Sequence, residues 1–143
     1  MGVEANKNVV RALFDGFNNG DVEQVAALCA DDFVLEDVAT GLTFHGPDGM
    51  RAWLSNWVTA APGAQATLEV IYGEEDRVAT EHHGIATQTG PLILPDGSTL
   101  PPTGRTIDLW FGEFYTLRDR KLTSMRAYYD LVTVMRQLGL LGG

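Results

Sequence analysis

Basic side chains are scarce in this chain: ten Lys and Arg stand against nineteen Asp and Glu, for a net charge of −9 at pH 7. No basic cluster appears anywhere, so the surface repels phosphate backbones and anionic headgroups, and neither nucleic acid nor membrane fits as a partner. Cysteine is nearly absent. Cys29 alone cannot build a disulfide framework, and it falls in a predicted amphipathic helix without basic neighbours to lower its pKa, which describes a small buried apolar residue better than a reactive thiol. The three histidines are not at ligand spacing with a third protein ligand, so no metal site is expected. Long apolar runs are missing too: none nears the roughly 20 residues of a membrane-spanning helix, and no signal-like segment opens the chain, from which a cytoplasmic location is expected.

What is present is an ordinary globular composition, 45% hydrophobic and 20% charged, over 143 residues, enough for one domain with a real core. Val9, Val10, Leu13, Phe14 and Phe17 recur at helical spacing from Glu4 to Asn18. Asn18-Asn19-Gly20 ends that helix and Asp21 caps a second, which is predicted to run to about Ala30. Gly46-Pro47-Asp48 starts a third helix carrying Met50, Trp53, Leu54, Trp57 and Val58. Strands follow, at 67–72 and 77–89, with a hairpin of 105–117 and 121–129 around Arg118-Asp119-Arg120. The stretch 90–104 holds four prolines and three glycines and reads as a loop over a cavity. A last short helix covers 131–138, with Asp130 placed to cap it. Helices first and a mainly antiparallel sheet after them define an α+β domain in which the sheet curves around the helices, leaving a hole at its open end.

Two acids stand out. Asp32-Phe33-Val34-Leu35-Glu36-Asp37 reads as a strand, so Asp37 shares the apolar face of Phe33 and Leu35 while Glu36 faces the other way. Glu113 likewise shares a face with Leu109, Phe111 and Tyr115. A carboxyl group among apolar neighbours has to be paired, hydrated or used. Asp37 is a candidate for chemistry or a loop-capping acid, and Glu113 a candidate acid or an ordinary ion-pair partner of Arg126. His82 and His83 point oppositely, as do Tyr128 and Tyr129; His82 and Tyr128 are assigned to the pocket.

The motifs Asn18-Asn19-Gly20-Asp21, Leu35-Glu36-Asp37, His45-Gly46-Pro47, Pro101-Pro102-Thr103-Gly104-Arg105, Ser124-Met125-Arg126-Ala127 and Arg136-Gln137-Leu138-Gly139 occur in an order and spacing that resemble the cone-shaped α+β superfamily. That superfamily unites ketosteroid isomerases, SnoaL-like polyketide cyclases and nuclear transport factor two, and the resemblance spans nearly the whole of residues 1–143. It implies Asp37 at the isomerases' general-base position and Glu113 at the position of their protonated, hydrogen-bond-donating acid. The cyclases' acid on the last strand corresponds to Ala127, and the isomerases' oxyanion tyrosine to Leu13.

The function so implied is a cofactor-free enzyme that moves a proton next to a carbonyl of an apolar, polycyclic substrate. Asp37 would be the base and Glu113 the acid, with Phe14, Phe17, Trp53, Trp57, His82, Phe111 and Tyr128 lining the substrate pocket. The alternative is a non-catalytic module of the same fold that binds a hydrophobic small molecule. Apolar residues on the outer sheet face lead to the expectation of a homodimer.

Overall fold

The computed structural model describes residues 2–141. Helix α1 (Val3–Asn18), the short α2 (Val22–Ala26) and α3 (Gly46–Ala60) pack on a six-stranded sheet, and α4 (Leu131–Gln137) closes one end. The sheet comprises β1 (Cys29–Asp37), β2 (Leu42–His45), β3 (Gln65–Glu74), β4 (Arg77–Thr87), β7 (Thr106–Arg118) and β8 (Lys121–Tyr129). A separate two-stranded ribbon pairs β5 (Leu92–Ile93) with β6 (Thr99–Leu100). The main sheet runs β2-β1-β8-β7-β4-β3, and among the described residues every neighbouring pair is antiparallel except β1 with β8. This α+β architecture is the expected one.

The second helix is shorter than its pattern suggests. Asp21 caps it as expected, its Oδ1 accepting from the Gln24 amide at 3.0 Å, but it ends at Ala26 and Cys29 opens strand β1. Pairing of Cys29 with Leu122 outweighs the helical periodicity there. Cys29 is buried, and burial pushes its thiol up to about 12, which leaves it unreactive. Asp130 caps α4, accepting from the Thr133 amide (3.1 Å) and hydroxyl (2.7 Å).

The core under the helices gathers Val10, Leu13, Phe14, Phe33, Leu35, Met50, Leu54, Tyr115 and Met125, all buried. The opposite sheet face carries exposed aromatic residues, Tyr72, Trp110, Phe114 and Tyr128 among them.

Two side chains hold the 90–104 segment: Asn56, bonded to the Ile93 amide and carbonyl, and Gln88. Gln88 is fully buried; its Nε2 donates to the carbonyls of Gly90 (3.0 Å) and Pro101 (3.1 Å), and its Oε1 accepts from the Thr103 amide (3.1 Å) and hydroxyl (2.6 Å). Gly90 starts the segment hard against α3: a Cβ there would lie 2.0 Å from the Thr59 carbonyl oxygen. Gln88→Leu strips partners from several buried polar groups, and urea unfolding should show a loss on the order of 3 kcal/mol. An unchanged midpoint would mean the segment is held by Asn56 and its own turns.

Candidate active site

Sheet register explains how the two acids are placed. Asp37 on β1 pairs with Ala127 on β8, Ala127 pairs with Glu113 on β7, and Glu113 pairs with Thr80 on β4. The acids therefore stand in one row across the inner face, two strands or roughly 10 Å apart along the backbone, with the buried methyl group of Ala127 between them. The next row, one pleat along, is Tyr129, Phe111, His82 and Leu68.

Asp37 is 4% exposed and meets three donors. Trp53 Nε1–H (3.0 Å) and the Tyr129 hydroxyl (2.8 Å) donate to Oδ2, and the Thr40 amide (3.2 Å) donates to Oδ1. The carboxylate thus caps its own turn, as one sequence reading allowed, and also fixes two aromatic side chains. Burial, and then the Asp37 charge, push the Tyr129 phenol well above its ordinary range.

Glu113 is 2% exposed, and among the described residues no Lys or Arg forms an ion pair with it. Arg126 is not its partner, because Arg126 opposes Phe114 on the outer face and stands 3.7 Å from Glu36 instead. The Tyr115 hydroxyl donates to Glu113 Oε1 at 2.6 Å, and Thr80 Oγ1 lies 3.2 Å from that hydroxyl, placed to donate to it. Oε2 has no hydrogen-bond partner among the described residues. Burial is the main force on this carboxyl and pushes it up to about 7, against the Tyr115 hydrogen bond, with the Asp37 charge adding to the rise.

His82 faces inward as expected. Its ring stacks on Phe111 (4.6 Å between centroids, 4° between planes) and meets Phe14 edge-on at 4.8 Å. Burial pushes the imidazole down to about 4, so it is neutral at pH 7. Among the described residues Nδ1 has no hydrogen-bond partner; it lies 3.7 Å from Glu113 Oε1, just beyond hydrogen-bonding distance.

Glu113 and His82 line an almost wholly apolar cavity of about 70 Å³ with Phe14, Phe17, Trp53, Trp57 and Phe111. Its rim includes the exposed, register-paired Gln65 and Ile85. Asp37 does not line it. It lines a separate groove of about 460 Å³ beneath the β5–β6 ribbon and α4, and only Trp53 and Trp57 belong to both linings. The two acids share a sheet face but not a cavity, because the third helix drives two indoles between them.

Tyr128 also departs from expectation. It points outward, stacking edge-on with Phe114 at 5.6 Å, with the Arg126 guanidinium 5.5 Å from its ring. Burial of Met125 and Ala127 sets the inward parity of β8, which turns Tyr129 inward and Tyr128 out. Strand alternation places Tyr115 on the face of Glu113 but does not show the hydrogen bond between them, and Thr80 behind Tyr115 gives no sequence signal.

Removing the Tyr115 hydroxyl has a signed consequence. The Tyr115 hydrogen bond holds Glu113 down, so Tyr115→Phe should move Glu113 titration, followed by carboxyl ¹³C NMR, to higher pH than in the wild type. A downward shift would contradict the geometry.

A curved, mainly antiparallel sheet wrapped around helices is the cone-shaped α+β fold. The SnoaL-like domain model matches residues 10–125, and the chain belongs to that family. A proposed SnoaL-like polyketide cyclase from Jannaschia sp. CCS1 superimposes with a TM-score of 0.84 at 21% identity, over 97% of this chain and 94% of that one. IdmH from Streptomyces antibioticus, a proposed polyketide cyclase, is 26% identical over 94% and 98% of the two chains, with a TM-score of 0.75. An epoxide hydrolase of M. tuberculosis is similar at 18% identity and a TM-score of 0.71, covering 95% of this chain and 90% of that one. No curated protein matches the chain significantly. Among the described residues no helix is long and apolar enough to cross a membrane, and no three His, Cys, Asp or Glu are grouped to hold a metal ion.

Proposed function

We propose that the protein is a cyclase- or isomerase-type enzyme that transfers a proton next to a carbonyl of an apolar substrate, with Glu113 as the group that takes and returns the proton. The observation that carries this reading is a carboxyl buried on the wall of an apolar cavity, its Oε2 free of hydrogen bonds among the described residues, where burial pushes its pKa up to about 7. A general base works best when its pKa lies near the operating pH, and burial supplies that here. Glu113 carboxylate removes the α proton, and the neutral imidazole of His82 is the polar neighbour available to the developing enolate oxygen. Tyr115 and Thr80 hold Oε1 and leave Oε2 to the substrate. Asp37 acts at a distance, fixing Trp53 in the wall and adding to the upward push on Glu113.

A volume of about 70 Å³ is smaller than the roughly 150 Å³ of a cavity that holds one benzene ring. The substrate is therefore small, or enters past Gln65 and Ile85 by its carbonyl end only. The test is deuterium exchange at the α carbon of a panel of apolar ketones in D₂O, read by NMR. Exchange above the buffer rate for at least one ketone is expected; none for any would defeat the reading. Binding without exchange would favour the non-catalytic module, which the apolar Leu13 on the cavity wall also suits, since it offers no donor to an oxyanion.

A further inference from the structure

The groove on the far side of Trp53 and Trp57 takes no part in that chemistry. At about 460 Å³ it is the size of an organic-molecule site. Its charge is one-sided: Asp37 and Asp96 line it, and no Lys, Arg or His does. Asp37 forms no ion pair among the described residues, and its three hydrogen-bond partners are all donors. A carboxylate accepts about four hydrogen bonds, so Oδ1 retains an acceptor position. Phe44, Trp53, Trp57 and Tyr129 supply aromatic surface around it. A buried carboxylate without a counter-charge is costly, and a cation among aromatic rings beside it is favoured.

We propose that this groove binds an organic ammonium ion, an alkyl- or arylamine whose charged nitrogen meets Asp37 and whose apolar part lies along Trp53 and Trp57. A neutral alcohol of the same shape meets the acceptor but not the charge, and an anion is repelled by both carboxylates. The groove's volume is separate from the Glu113 cavity, so amine binding there can be read apart from ketone exchange, although Asp37 and the two tryptophans adjoin both.

The experiment is titration of the intact protein at pH 7 with phenethylammonium chloride and with 2-phenylethanol. Binding is followed by tryptophan fluorescence and by the indole ¹⁵N–¹H resonance of Trp53, which reports on its bond to Asp37. The amine is expected to bind about tenfold or more tightly than the alcohol and to move the Trp53 resonance. Asp37→Asn should weaken the amine by a similar factor. Ala52→Trp obstructs the groove from an exposed helix position, leaves Asp37 in place, and should also weaken the amine. Equal affinity for amine and alcohol, no saturable amine binding at millimolar concentration, or full amine affinity in a folded Ala52→Trp protein would each overturn the proposal. Amine binding with no ketone exchange would leave this site standing and defeat only the enzymatic reading.

Discussion

Glu113→Gln is expected to lower α-proton exchange by about 10²- to 10⁴-fold, the range supplied by a positioned general base. The amide keeps the shape and can still accept from Tyr115, so cavity and fold are retained while the exchangeable proton is lost. The wild-type rate should climb with pH through about 7 as Glu113 ionises. The residual rate of the variant should show no such rise. Equal rates for the two proteins would remove Glu113 from the mechanism, and the next candidate would be Asp37 through movement of Trp57.

The second large effect concerns stability, where Glu113 and His82 oppose one another. Glu113 rises from 4.5 to about 7 on folding, so between those values the folded state holds a proton that the unfolded state has released. Stability then falls as pH rises, by on the order of 3 kcal/mol across the window. His82 drops from 6.5 to about 4, so between those values the unfolded state holds the extra proton. Its contribution is present above 6.5 and is lost as pH falls towards 4, again on the order of 3 kcal/mol. The two slopes have opposite signs over most of the same range and largely cancel in the wild type. Each single variant should expose the other slope. Relative to wild type, Glu113→Gln should gain stability as pH rises from 4.5 to 7, and His82→Phe as pH falls from 6.5 to 4. Denaturant midpoints at four or five pH values measure both differences. Parallel curves for all three proteins would mean that neither group titrates as its burial requires.

Much of the site was legible from strand alternation alone. Asp37 and Glu113 each sit among apolar residues at i±2, and both are buried on the inner face. His82 was separable from His83 only by choosing a face, and the inward choice holds: His83 instead hydrogen-bonds Asp108 on the outside and stacks on Trp110. The same choice between Tyr128 and Tyr129 went the other way. Two adjacent aromatic residues at a strand end look alike locally, and what separates them is the pairing of β8 with β7 and the burial of Ala127. Gln88 offered no signal, since its partners lie up to fifteen residues away in a loop.

By itself the sequence determined the α+β layering, the capped helix starts at Asp21 and Asp130, and the fact that two carboxyl groups lie on apolar strand faces. Those are consequences of local periodicity and side-chain chemistry. Only the tertiary structure decided that Asp37 and Glu113 stand in one row yet line different spaces. Register across three strands aligns them, and two tryptophans from a separate helix partition them. The same long-range packing buries Glu113 with no Lys or Arg beside it among the described residues, which pushes its carboxyl up, and gives Asp37 three hydrogen-bond donors.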